Sequence, residues 1–99
     1  MDITLLYFED CPNWKLAEER LATVAKTRPD VSVAHRLVCT PAEAERLGFL
    51  GSPSIQVDGV DVFEEPGSQV GLSCRRYSTP DGYQGAPSLE QLRGVVTDA

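Results

Sequence analysis

The stretch Ile3-Thr4-Leu5-Leu6-Tyr7-Phe8, continued by Glu9-Asp10-Cys11-Pro12-Asn13-Trp14, decides the fold. Its first half is apolar on both parities and rich in strand formers, as a strand covered on both faces requires. A central strand is therefore expected. After the turn, Trp14, Ala17, Leu21, Val24 and Ala25 recur at helical spacing, with Lys15, Glu18, Glu19 and Arg20 filling most of the opposite face. That helix should end near Thr27, ahead of Arg28 and Pro29.

Outward from this core, residues 31–38 alternate Val33, His35 and Leu37 against Ala34, Arg36 and Val38, a strand polar enough for a sheet edge. Thr40-Pro41-Ala42-Glu43 combines an N-cap threonine, a proline at the first helical position and a glutamate three residues after the cap. A short helix should run from there to Leu47 and stop at Gly48. Residues 54–57 and 60–63 flank Asp58-Gly59, the strongest short hairpin signal. Residues 64–86 hold four glycines and two prolines without a sustained period, which reads as one long connection. Ser88-Leu89-Glu90-Gln91 then opens a last helix with Leu89, Leu92, Val95 and Val96 on one side. The order is β-α-β-α-β-β-α, an α/β fold in which the first two strands pair in parallel through a right-handed crossover and the hairpin adds antiparallel strands.

Ninety-nine residues, 41% hydrophobic and 24% charged, suit one domain spanning residues 1–99. Nine basic against fifteen acidic residues give a net charge of -6, the wrong sign for a nucleic-acid groove or an anionic membrane surface. Neither partner is expected. The longest apolar run falls far short of the roughly 20 residues of a membrane span. Met1-Asp2-Ile3 also lacks the basic start and apolar core of an export signal, so a cytoplasmic protein is expected.

The three cysteines, Cys11, Cys39 and Cys74, are too far apart for a local zinc knuckle or CxxC pair. Their odd number, with no export signal, points to reduced thiols. With Pro12 read as the first helical residue, Cys11 takes the N-cap, where Thr40 and Ser88 serve the other two helices. Free backbone N–H groups and the positive end of the helix dipole favour a thiolate there, while Glu9 and Asp10 oppose it. Packed as a small hydrophobe in the turn, Cys11 would be inert. Cys39, just before the Thr40 cap, reads as a buried structural thiol, and His35 as an edge histidine. Cys74 adjoins Arg75 and Arg76, which either favour its thiolate or are solvated or paired with the many acids.

Phe8-Glu9-Asp10-Cys11-Pro12-Asn13-Trp14 between strand and helix, followed by Gly51-Ser52-Pro53-Ser54-Ile55-Gln56-Val57-Asp58-Gly59, resembles the thioredoxin superfamily. The resemblance covers about residues 2 to 63 and resumes with the last helix. It implies a four-stranded mixed sheet with helices on both faces. It implies a catalytic thiol at Cys11 and a cis bond between Ser52 and Pro53, held close to that thiol. The backbone of Ser52 would then pair with an extended substrate strand. Trp14 stands where the family's usual second cysteine would be, which removes the local dithiol. Cys11 is left to react with a small thiol, to be resolved by a distant cysteine, or to serve without redox chemistry. Cys74 is the candidate resolving residue and Cys39 a second one.

The leading expectation is thus a thiol–disulfide oxidoreductase-like protein with Cys11 and Cys74 as its catalytic thiols. Pro12, Trp14, Ser52 and Pro53 would shape the substrate site. Its substrate would be a small thiol or a protein disulfide, and it would need no cofactor and no resident metal. Two other classes stay open: a noncatalytic module that binds a strand at Ser52-Pro53, and soft-metal or organomercurial handling by the thiolates.

Overall fold

The computed structural model describes residues 1–97, so Asp98 and Ala99 of the expected span lie outside the described residues. Strand β1 (Asp2–Tyr7) sits between β2 (Ser32–Leu37), parallel to it, and β3 (Ser54–Val57), antiparallel to it; β4 (Val60–Asp61) completes the order β2-β1-β3-β4. Leu5 faces His35 on one side and Ile55 on the other, which fixes both registers around the most buried strand. The double-sided apolar pattern of residues 3–8 follows from this position. Strand β2 is the sheet edge its polar alternation predicted, and five of its six residues, all but Val33, are exposed.

Helices α1 (Trp14–Ala25) and α3 (Leu89–Thr97) pack on one face, where Ala17, Leu21, Val24, Leu92 and Val96 close over Ile3, Leu5 and Ile55. Two arginines of the α1 region fasten this pair. Arg20 donates to the Pro87 carbonyl at 2.7 Å and Arg28 to that of Val96 at 2.9 Å. Helix α2 (Pro41–Leu47) covers the opposite face, where Ala44 and Phe49 bury Leu6 and Val38. The result is a mixed α/β architecture of a four-stranded sheet and three helices, with a helix layer on each face.

The caps and turns follow the local rules. Thr40 Oγ1 accepts from the Glu43 N–H, and Gly48 ends α2 in the left-handed region. Glu43 reaches back to the N–H of Cys39 at 3.2 Å. Asp58 and Gly59 both have positive φ, as the tight β3–β4 turn requires. Ser88 and Gln91 exchange reciprocal bonds of 3.1 and 2.8 Å at the start of α3. Ser88→Ala removes one acceptor at that cap and is expected to cost about 1 kcal/mol, a fall of roughly 5 °C in Tm. A thermal melt indistinguishable from that of the parent chain would show that this cap contributes nothing.

Three elements differ from expectation. Strand β4 stops at Asp61, short of the strand expected over residues 60–63. Residues 64–86 are not one irregular connection, because β5 (Tyr77–Thr79) and β6 (Gly82–Gln84) form a hairpin across Pro80-Asp81. The Asp81 N–H bonds to Thr79 Oγ1, which fixes the turn. Helix α1 also begins later than expected: Asn13 is its N-cap and Cys11 lies two residues before it. Pro12 opens an i to i+3 turn, its carbonyl accepting from Lys15 at 3.1 Å, and the helical ladder starts only after it. Asn13 makes no side-chain cap bond. Its side chain lies against Gly85, where any Cβ would collide with it.

Candidate active site

The carboxyl end of β1 runs into a turn in which the Cys11 N–H donates to the Phe8 carbonyl at 3.0 Å. The Phe8 N–H in turn donates to Ser52 Oγ at 2.9 Å, tying the residue before Pro53 to the loop that carries Cys11. The Ser52–Pro53 bond is cis, as the family resemblance implied. Both residues are buried, Ser52 completely.

The backbone of Ser52 already has a strand beside it. Its N–H donates to the Ser73 carbonyl at 2.7 Å, its carbonyl accepts from the Arg75 N–H at 2.9 Å, and Ser52 pairs in parallel with Cys74 between them. A disulfide joins Cys74 to Cys11 across a Cα–Cα distance of 5.6 Å and a sequence separation of 63. The two cysteines expected to cooperate are therefore brought together. They are not reduced thiols, contrary to the inference from their odd number, because the fold supplies the proximity that the sequence spacing lacks.

Three features hold the 73–75 segment in place. Gly51 has a φ of +106°, and a Cβ there would approach the Arg75 Cβ to 3.0 Å and the Ser73 carbonyl to 3.3 Å. Only glycine lets the two backbones come this close. Arg75 donates to Asp61 at 2.6 and 3.2 Å, to the Phe63 carbonyl at 2.8 Å and to Ser54 Oγ at 3.3 Å. The side chains of this ion pair are only 9% and 5% exposed. Burial is the largest single influence and works against the guanidinium charge, but the bonds it donates to Asp61 together with the surrounding negative charge, that of Glu65 included, hold the Arg75 pKa above its ordinary value. Tyr77, buried, donates its hydroxyl to the Pro53 carbonyl and stacks edge-on with Phe63. Burial pushes its phenol pKa far up, so Tyr77 remains a donor.

The remaining expected site residues are placed as follows. Pro12 is exposed at the start of the α1 turn. Trp14 stacks on Tyr7 at 4.3 Å between centroids and packs against the main core. The β1 strand and the core thus position its ring. Arg75 does not favour a thiolate as a free cation, since Asp61 occupies its guanidinium. Arg76 lies 5.3 Å over the ring of Tyr83. Cys39 is exposed and unbridged, not a buried structural thiol, because the chain leaves the sheet edge there before α2 turns back over the core. His35, exposed on the edge strand β2, meets Glu18 at 2.9 Å.

Comparison with protein-family models, curated proteins and solved structures gave no match for this chain. The reading of the site rests on its own geometry. Among the described residues no group of three His, Cys, Asp or Glu side chains could hold a metal ion, and no helix is long and apolar enough to cross a membrane.

Sequence reading missed Asp61, Gly51 and Tyr77 as site-building residues. A signal existed for the hairpin that presents Tyr77: Pro80-Asp81-Gly82 is a strong turn tripeptide between residues with strand character. None existed for Asp61, whose partner lies 14 residues away across the site.

Proposed function

We propose that this chain is a thioredoxin-like thiol–disulfide exchange protein whose working pair is Cys11 and Cys74. The observation that carries the reading is the backbone pairing of Ser52 with Cys74, next to the cis Ser52–Pro53 bond and joined covalently to Cys11. The chain's own segment occupies the place a substrate strand would take. The disulfide therefore has the arrangement of an exchange intermediate, held within one molecule. The element order and the parallel β1–β2 crossover support the same family reading.

Chemically, the pair cycles between disulfide and dithiol. Reduction by an external thiol releases two cysteines that the Arg75–Asp61 ion pair and the Ser52 backbone bonds keep as neighbours, so reclosure on a substrate disulfide is intramolecular. This replaces a CxxC motif with a pair assembled by the fold. Strand binding at Ser52 without redox chemistry is less well supported, because both backbone groups it would use are already bonded within the chain.

The test is turnover of a fluorogenic peptide disulfide with dithiothreitol as reductant. Cys11→Ser and Cys74→Ser are each expected to lose turnover, and Cys39→Ser to retain it. Turnover no faster than with dithiothreitol alone, or a Cys74→Ser variant as active as the parent chain, would overturn the proposal.

A further inference from the structure

We propose that the cleft beside Cys74 binds a small cysteinyl thiol, carrying both a carboxylate and an ammonium group, and that this thiol opens the disulfide by attacking Cys74. This rests on the exchange reading above and names its reductant by chemical class. Of the two bonded cysteines, Cys74 is exposed whereas Cys11 is 2% exposed, so a reagent from solvent meets Cys74 first.

A cleft of about 300 Å³ opens at Cys74, and Glu65, Ser68, Ser73 and Arg76 line it together with Arg75. Its size is at the lower end for small-molecule sites, suited to a thiol of amino-acid dimensions. Its charges are balanced. Arg75 is paired with Asp61 and also feels the charge of Glu65, while neither Arg76 nor Glu65 forms an ion pair among the described residues. The Arg76 guanidinium is steadied over Tyr83, and the Glu65 backbone N–H is fixed by Ser68 Oγ at 3.0 Å. Arg76 and Glu65, one cation and one anion lining the same cleft as Cys74, match a zwitterion, with its carboxylate toward Arg76 and its ammonium toward Glu65.

The step balances with the thiol as the sole co-reactant. Its thiolate forms a bond to Cys74 Sγ, the Sγ–Sγ bond breaks, and the electron pair leaves on Cys11 Sγ, which takes up a proton. A second thiolate attacks the external sulfur of the mixed disulfide and releases Cys74 as thiolate. Two thiols are oxidised to one disulfide and the protein disulfide is reduced to a dithiol.

The oxidised full-length chain is treated with cysteine, cysteine methyl ester or N-acetylcysteine at equal thiolate concentration, then quenched in acid and mapped by mass spectrometry. The first adduct is expected on Cys74, with cysteine about five-fold faster than either analogue, the scale of one exposed ion pair. The three thiolates differ in intrinsic nucleophilicity, so each rate is compared after division by that of the same thiol with a small uncharged disulfide. The chain's net charge of -6 by itself favours the cationic ester, so a preference for cysteine that survives this division reports the local site. Arg76→Gln should erase the preference over the ester, and Glu65→Gln the preference over N-acetylcysteine. A first adduct on Cys11, equal rates for the three thiols, or preferences that survive both substitutions would overturn the cleft proposal. In each of these results the bond still opens and the exchange reading stands. A bond that no thiol opens in the folded chain, dithiothreitol included, overturns both.

Discussion

Replacing Cys11 and Cys74 together by serine is expected to lower the stability of the chain by about 4 kcal/mol, roughly 20 °C in Tm. The magnitude comes from the closed loop: a cross-link between residues 63 apart removes much of the freedom of the unfolded chain. The native side changes less, because Arg75, Tyr77 and the Ser52 backbone bonds hold the segment without the covalent link. The loss should therefore appear mainly through the unfolded state, as a steeper denaturant dependence together with a lower midpoint. Equilibrium unfolding of the oxidised parent and of the double variant checks this. A difference below about 1 kcal/mol would mean that the unfolded chain is already compact around this loop. The same reasoning explains how one bond serves as both staple and reactive centre: its stabilising effect is on the open chain, and its chemistry is local.

Asp61→Leu is expected to cost about 3 kcal/mol, since it leaves the Arg75 guanidinium buried with only neutral partners. The Phe63 carbonyl and Ser54 Oγ remain as acceptors, which places the cost at the low end for a broken buried pair. The Phe63 N–H loses its bond to Asp61 as well. Asp61→Leu combined with Arg75→Met removes both charges and should recover most of the loss, because an apolar pair needs no compensation for desolvation. Chemical denaturation of the two single variants and the double closes a double-mutant cycle. Additive single effects would show that Asp61 and Arg75 act independently. A coupling well above 1 kcal/mol would identify the pair as the clamp on the cysteine-bearing segment.

Elements whose residues carry their own local instructions were legible in the sequence. Thr40 and Gly48 bound α2, Ser88 and Gln91 open α3, and Asp58-Gly59 turns the hairpin, all through contacts within a few residues. The central position of β1 was legible because Ile3, Leu5, Leu6 and Tyr7 put apolar side chains on both faces. The start of α1 was misplaced because proline is compatible both with a first helical residue and with the tight turn that precedes one. Cys39 was misplaced because thiols are commonly buried, and only the tertiary path shows the chain leaving the sheet there. The partnership of Arg75 with Asp61 and of Ser52 with residues 73–75 depends on distant segments meeting, which no local pattern encodes. The pairing of Cys11 with Cys74 was one of several open options until the fold brought the two together.

The close approach at Gly51 has a consequence for the ancestry of the chain. A side chain at residue 51 would meet a positive φ and the Arg75 Cβ at 3.0 Å, so the 73–75 segment would have to shift by a few tenths of an ångström. Residue 51 is thereby coupled to the segment that carries Cys74. Descendants that keep the bond are expected to inherit Gly51, Asp61, Cys74 and Arg75 as a block, whereas lineages that discard Cys74 still need Asp61 wherever Arg75 stays buried. Gly51-Ser52-Pro53 followed by Asp61 and then Cys74-Arg75 is thus a compound signature, more discriminating for finding kin than any single motif in it.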